Sequence, residues 1–164
     1  MFPEIVEATR QQLKAREVIF EGEAIAYDEI TGELHPFQVT MQRKRKHGID
    51  EIAKEFPLKF FAFDLLYVDG VDFTNRPYSE RREKLKGLIR ADTTITLSEI
   101  RVTGDPKEIT QFFDDVVGRG LEGIIAKRLD APYTAGARNF NWIKLKRSYR
   151  GELTDSLDVC IVGY

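Results

Sequence analysis

Acidic and lysine side chains lie within segments of this sequence that otherwise have the composition of buried strands. Glu21 and Glu23 share one face of the segment VIFEGEAIAY, Lys144 and Lys146 share one face of WIKLK, and Glu122 opens LEGIIAK. A buried charge costs free energy unless it is paired or holds a ligand. One interpretation of these residues is a phosphate site, in which the lysines would hold the anion. The alternative is a solvated sheet face that carries ordinary cross-strand Glu–Lys pairs.

Positive charge is concentrated in one part of the chain. The whole sequence has 164 residues and a net charge of −2, but residues 119–150 contain eight basic and two acidic residues, a balance of +6. These charges alternate with apolar residues in strand-like segments, so several of them are expected to point in common directions. A second basic cluster, at residues 43–46, is interpreted as a solvated loop.

Several classes of protein are excluded by motifs that the sequence lacks. It contains no GxxxxGK[ST] loop, no HExxH and no GxSxG. One cysteine and two histidines exclude an internal disulfide and a Cys/His zinc cluster. The apolar runs are much shorter than the roughly 20 residues of a membrane-spanning helix, and no secretory signal is found. We therefore expect a cytoplasmic protein without membrane contacts.

The first half of the chain predicts a helix, a strand, two short helices and a long central strand. Pro3 begins the first helix, and residues 18–27 form the first strand. The two short helices are divided at Gly48. Residues 58–68 are apolar on both faces, which predicts a strand in the middle of a sheet, and Asp69-Gly70 predicts a tight turn after it.

The second half predicts two longer helices and three further strands. Ser79 is a candidate N-cap for one helix, and Asp105 followed by proline opens the other. Strands are predicted around residues 94–100, 121–129 and 140–147. This order of elements favours an α+β fold with mainly antiparallel sheets and flanking helices.

Four segments, in this order along the chain, resemble motifs III, IIIa, IV and V of the ATP-dependent DNA ligases, especially the archaeal replicative type. They are EGEAIAYD, FFAFDLLYVDG, LEGIIAKRLD and NWIKLKRSY. The resemblance implies an ATP-grasp-like nucleotidyltransferase fold. It assigns residues 1–150 to a partial adenylation domain, and residues 151–164 to the hinge and first strand of an OB-fold domain.

The resemblance also implies ATP, bound as AMP, and Mg²⁺ as cofactors. Matched by position, Glu23 contacts the ribose and helps to organise the metal, Glu122 is a metal carboxylate, and Phe63 stacks on adenine. From the residues alone, a core side chain is the ordinary interpretation of Phe63. Asp64 beside it is expected to point the other way and to be structural.

The basic residues of the site follow from the same resemblance. Lys144 and Lys146 hold the α-phosphate, Arg138 lies on the nucleotide side, and Lys127 ends motif IV. Glu122 and Lys127 are five residues apart and would face opposite sides of a regular strand. Either that strand is bulged or one of the two acts outside the pocket. Trp142 is expected to be a packing residue.

The family's nucleophile, the lysine of a KxDG motif, has no counterpart in this sequence, because Asp69-Gly70 is preceded by Tyr67 at the position of the lysine. No catalytic residue is therefore assigned. Met1 is interpreted as a fragment boundary, and the fragment alone is expected to be inactive.

The parent enzyme implied by the resemblance seals nicks in double-stranded DNA, in replication, repair and recombination, through lysine-AMP and DNA-adenylate intermediates. A sliding clamp is a further expected partner, through the region upstream of Met1. The alternatives are an RNA ligase or capping-type nucleotidyltransferase, or a non-catalytic nucleotide- or DNA-binding remnant.

Overall fold

The longest strand among the described residues, β2 (Leu58–Val68), lies at the centre of the main sheet. The computed structural model describes residues 2–44, 47–90, 93–136 and 140–147. Strand β1 (Val18–Ala26) pairs with β2 in antiparallel fashion along its whole length. Strands β3 (Val71–Asp72) and β4 (Ile95–Leu97) also pair with β2, β4 in parallel. The predicted central position of residues 58–68 is confirmed.

The turn from β2 to β3 is the one that the Asp-Gly pair predicts. Asp69 has φ of 45° and Gly70 has φ of 89°, a left-handed pair that suits a tight hairpin. The Asp69 carboxylate also accepts hydrogen bonds from the backbone amides of Arg16 and Glu17, at 2.8 and 3.0 Å. These bonds lower the pKa of Asp69 and fix the start of β1 against the end of β2.

The described residues contain five helices, which begin and end close to the predicted signals. They are α1 (Pro3–Gln12), α2 (Phe37–Gln42), α3 (Ile49–Glu55), α4 (Tyr78–Leu88) and α5 (Pro106–Gly118). Asp105 caps α5 by accepting from the amide of Lys107, as expected. The expected cap at Ser79 is wrong, because α4 already begins at Tyr78 and has no side-chain cap.

The core lies between one face of the main sheet and helices α1 and α4. Leu65, Leu85 and Ile95 are completely buried there, together with Ala62 of β2. On α4 the buried positions follow the helical repeat, so one side of the helix faces the sheet and the other faces solvent. The helices thus cover one face of the sheet, which leaves the other for the polar side chains of β1 and β2.

A second, two-stranded sheet is formed by β5 (Gly123–Lys127) and β6 (Trp142–Lys146), which pair in antiparallel fashion. Helix α5 contacts β5. The sheets are therefore mainly antiparallel, with helices on their flanks, as the α+β prediction requires. Residues 151–164, the expected start of an OB-fold, lie outside the described residues. Among the helices that are described, none has the length and apolar character needed to cross a membrane.

The basic cluster at residues 43–46 is not simply a solvated loop. The Arg43 side chain is fully buried, while Lys44 is exposed. Arg43 makes an ion pair with Glu4 of α1, with 2.6 Å between Nη2 and Oε1, and donates a hydrogen bond of 2.5 Å to the carbonyl of Phe56. The interpretation is therefore wrong for Arg43, which joins α1 to the end of α3.

Candidate functional site

The face of the main sheet that the core does not use carries the acidic residues of β1. In the register of the two strands, Glu21 lies opposite Asp64 and Glu23 lies opposite Phe61, while Phe63 has no partner. The strand is therefore bulged at Phe63, where two residues of β2 oppose one residue of β1. Glu23 is solvent-exposed on the same face as Asp64.

The bulge corrects the expectation that Phe63 and Asp64 point in opposite directions. The ammonium group of Lys127 lies 3.0 Å from Asp64 Oδ2 and 4.8 Å from the centroid of the Phe63 ring. Both neighbouring side chains therefore reach the same cation. A regular alternation of β2 could not bring them together, because successive residues of a strand face opposite sides.

Asp64 is the buried centre of an ionic cluster. Its carboxylate is 1% exposed and accepts hydrogen bonds from Nε and Nη2 of Arg81, at 2.7 and 3.1 Å, as well as from Lys127. Arg81 is equally buried, and its remaining nitrogen, Nη1, donates to the carbonyls of Arg76 and Ala131. The cluster holds two cations and one anion, so a net positive charge remains at the floor of the site.

The second sheet presents its lysines in a line. Lys127 lies opposite Trp142, Ile125 lies opposite Lys144, and Gly123 lies opposite Lys146, so that these residues share one face. Alternate residues of a strand are spaced by about 7 Å, which puts the two ends of this line about 14 Å apart. Phe63 and Asp64 lie at the Lys127 end.

Glu122 lies at the other end of the line. Its carboxylate is 3.0 Å from the ammonium of Lys146. The pairing of β5 with β6 is continuous, so β5 is not bulged. Instead, Glu122 precedes the strand, and Gly123 after it has φ of 150°, a conformation that other residues rarely adopt. The five-residue spacing from Glu122 to Lys127 therefore does not separate their side chains as a regular strand would.

Replacing Gly123 by alanine is expected to displace Glu122 and destabilise the second sheet. A Cβ atom at Gly123 would collide with the carbonyl oxygen of Leu145, and the positive φ adds strain. We expect the free energy of unfolding to fall by about 1–3 kcal/mol, measured by urea denaturation. Gly87→Ala in helix α4, where nothing lies within 4 Å of the added atom, is the control and should lose no stability. Equal behaviour of the two variants would contradict this account.

The loop that follows β5, residues 128–136, forms one wall of the site and is attached to helix α4. The carbonyls of Leu129 and Ala131 accept hydrogen bonds from the amides of Ser79 and Tyr78, both at 3.0 Å. These amides are among the first four of the helix, which have no partners within it. These loop carbonyls therefore cap the start of α4, which is the role predicted for the side chain of Ser79.

Tyr133 ties the same loop to the main sheet. Its hydroxyl donates a hydrogen bond to Glu21, and this bond raises the pKa of Tyr133 to about 12. Its backbone amide also donates to the carbonyl of Thr74, at 2.7 Å. The Glu21 carboxylate is therefore hydrogen-bonded to the loop, whereas the Glu23 carboxylate, also on β1, is exposed to solvent.

Local ion pairs offset part of the positive charge of residues 119–150. Arg119 pairs with Glu99 at 2.9 Å and Arg128 pairs with Asp130 at 2.7 Å, both on the surface. The side chain of Lys144, in the middle of the line of lysines, is exposed to solvent like these surface pairs.

The described structure therefore brings together Phe63 and Lys127, and aligns Lys144 and Lys146 with them on one face. Glu122 joins this group through Lys146, whereas Arg138 lies outside the described residues. No group of three or more His, Cys, Asp or Glu side chains that could hold a metal ion occurs in the described part of the chain.

Sequence reasoning missed the connections that Arg81, Tyr78 and Tyr133 make to the site. The ring of Tyr78 lies 4.7 Å from the Lys127 ammonium, and its hydroxyl donates to the carbonyl of Phe63. Burial raises the pKa of Tyr78. The one available signal was Asp64 itself, a carboxylate in an apolar strand that needs a buried cation as its partner.

Comparison with known protein families gives one match that spans most of the chain. The profile of the family described as the ATP-dependent DNA ligase domain matches residues 1–146. A probable DNA ligase of Dictyoglomus thermophilum is 56% identical over 164 residues, which is 100% of this chain and 28% of that protein. A DNA ligase of Aeropyrum pernix is 46% identical over 165 residues, covering 99% of this chain and 27% of that protein. The chain thus spans little more than a quarter of the length of these relatives.

Solved structures show the same likeness. The mycobacterial DNA ligase D complexed with ATP and MES superimposes with a TM-score of 0.56 and 32% sequence identity, over 79% of this chain and 38% of that one. The ligase domain of LigD from M. tuberculosis gives a TM-score of 0.55 and 33% identity over the same shares. The expected fold class and the resemblance stated from the four motifs are confirmed.

Proposed function

Because this chain belongs to the family of ATP-dependent DNA ligase domains, we propose that it is the nucleotide-binding part of an enzyme that seals nicks in double-stranded DNA. The observation that carries the proposal is the line of lysines on one face of the second sheet, with Phe63 at one end and Glu122 at the other. A line about 14 Å long suits an extended nucleotide whose base and phosphates lie at opposite ends.

The base is proposed to stack on Phe63, and the phosphates to lie along Lys144 and Lys146. Stacking of a base on an aromatic side chain contributes about 1–3 kcal/mol. The lysines supply fixed positive charge where the charge of the α-phosphate increases during phosphoryl transfer. Arg138 is a further proposed contact on the nucleotide side.

Glu23 is proposed to contact the ribose, and Glu23 and Glu122 to hold Mg²⁺ together with the phosphates. A site with one or two protein carboxylates and substrate oxygens is the kind that Mg²⁺ occupies in phosphoryl-transfer enzymes. The carboxylates of Glu23 and Glu122 are donors of the kind that this ion takes. When bound, Mg²⁺ would neutralise phosphate charge. Lys146, now paired with Glu122, would exchange that carboxylate for a phosphate oxygen.

The full reaction is proposed to pass through a lysine-AMP and then a DNA-adenylate. The lysine that carries AMP in the family belongs to a KxDG motif, which the printed sequence does not contain. This chain would thus bind and orient the nucleotide for a nucleophile that it does not itself supply. Nicked DNA is the proposed substrate, and the exposed basic residues near the second sheet suit contacts with its phosphates.

A second candidate is a segment that binds nucleotide without catalysis, for which Phe63 and the line of lysines would serve equally well. Both candidates require the same pocket for the base and phosphates. They differ in whether a covalent adenylate forms, so one experiment with labelled ATP addresses both.

We expect the 164-residue chain to bind ATP reversibly and to form no covalent label with α-labelled ATP that survives denaturing electrophoresis at alkaline pH. Lys144→Met should lower the affinity for ATP by about tenfold or more, since a bond between two charged groups is lost. Calorimetric titration measures the affinity, with Lys86→Met on the exposed side of α4 as the matched control. A covalent label would contradict the assignment of the nucleophile elsewhere, and equal affinities of the two variants would contradict the phosphate role of Lys144.

A further inference from the structure

Lys127 differs from the other lysines of the line, because its charge is already engaged inside the protein. Its side chain is 11% exposed, whereas that of Lys146 is 41% exposed. The ammonium group is paired with Asp64, and its distances to the ring centroids of Phe63, Tyr78 and Trp142 are 4.8, 4.7 and 5.7 Å. A cation within 6 Å of a ring centroid is attracted to that ring. The Lys127 ammonium thus makes cation–π contacts with three aromatic rings.

The position of Lys127 also separates it from the phosphate end of the site. Along the hairpin, the pair that contains Lys127 is four residue pairs away from the pair that contains Lys146, at the end where Phe63 lies. A nucleotide that stacks on Phe63 and reaches Lys144 with its phosphates would therefore have its base, rather than its phosphates, beside Lys127.

We propose that Lys127 and Asp64 are positioning residues for the base: together they hold the Phe63 ring at the stacking angle and make no contact with phosphate. The inference rests on the proposed function, and it gives Lys127 a role different from that of Lys144. Asp64 is held in turn by Arg81, so the orientation of the ring is anchored in helix α4.

The hydrogen bonds to Asp64 explain how the Lys127 ammonium can keep the Phe63 ring in one orientation. Asp64 accepts from Arg81 through both oxygens and from Lys127 through one of them, so Lys127 has one defined location between the rings. Methionine at position 127 would keep the length of the side chain and lose its charge. The rings would then lose their common cation, and Phe63 would stack in a less defined orientation.

The test compares the affinities for ATP, AMP and adenosine, three ligands that share a base and differ in phosphate. We expect Lys127→Met to weaken the binding of all three by the same factor, about 3- to 10-fold, because only base stacking is affected. Lys144→Met should weaken ATP and AMP and leave adenosine unchanged. Calorimetric titration of the 164-residue chain provides the dissociation constants.

Two further variants separate positioning from general damage to the fold. Lys127→Arg keeps the charge and the partner Asp64, and should retain nearly wild-type affinity for all three ligands. Phe63→Leu should reproduce the loss seen with Lys127→Met, and the double variant should lose no more than Phe63→Leu alone, because Lys127 acts through that ring.

Each outcome decides between the inference and the proposal on which it rests. A loss in Lys127→Met that grows with the number of phosphates, or a loss that adds to that of Phe63→Leu, overturns the positioning role and leaves nucleotide binding intact. If the wild-type chain binds none of the three ligands, the proposed function fails, and the inference fails with it.

Discussion

Replacing Asp64 by alanine is expected to lower the free energy of unfolding by about 3–5 kcal/mol, the largest effect of any single change at the site. The reason is the cost of the cations left behind. Arg81 is 3% exposed and would lose both of its carboxylate contacts, and Lys127 would lose its ion pair in the same step. Urea denaturation measures the change, and the dependence of the unfolding free energy on urea concentration should be the same in the variant and the wild type.

A matched control is available in the neighbouring loop. Asp130 forms an ion pair of similar length with Arg128, but the pair lies on the surface. Exposed pairs contribute little, so Asp130→Ala should leave the midpoint of denaturation unchanged within error. The double variant Asp64→Ala/Arg81→Met should recover part of the loss, because one unpaired buried charge is removed. Similar stabilities of the two alanine variants would show that water screens Asp64 far more than its 1% exposure implies.

Replacing Arg43 by alanine is expected to cost about 3 kcal/mol or more. The side chain is fully buried, and its loss removes the partner of Glu4 and the donor to the Phe56 carbonyl. Both acceptors would then lack a partner where water is largely excluded. The guanidinium also lies 5.8 Å from the centroid of the Phe2 ring, so its removal loosens the start of α1 as well. Thermal and urea denaturation measure the effect.

Lys44→Ala provides the comparison, because Lys44 is the next basic residue and is exposed. It should have no measurable effect on stability. Nothing in the sequence distinguishes Arg43 from Lys44 within the run of four basic residues. The effects of the two substitutions on stability are nevertheless expected to differ greatly. If both variants were equally stable, the ion pair with Glu4 would not contribute to folding.

The order and type of the elements could be predicted because their signals are local. The apolar segment that became β2 and the Asp69-Gly70 turn after it depend on residues within a few positions of one another. The same holds for the cap at Asp105. The start of α4 was missed because the partners of its first amides are carbonyls about 50 residues away, at Leu129 and Ala131. No local pattern contains that information.

The same distinction holds for the site. The motifs located Phe63, Lys127, Lys144 and Lys146 by position. The motifs did not reveal that Lys127 is paired with Asp64, since the pair joins residues 63 positions apart and depends on the bulge at Phe63. A bulge is set by the competition between strand pairing and side-chain packing across the whole sheet. Alternation along one strand therefore gave the wrong direction for Asp64.

The attachment of the loop at residues 128–136 to helix α4 has a consequence for how the site opens. The loop supplies hydrogen-bond acceptors to the start of a helix whose buried side lies in the core, with Leu85 and Leu88 against the sheet. Local unfolding proceeds in cooperative units that share such bonds. We therefore expect the wall of the pocket and the first turn of α4 to open together, so that amide hydrogen exchange at Tyr78 and Ser79 reports on the opening of the pocket.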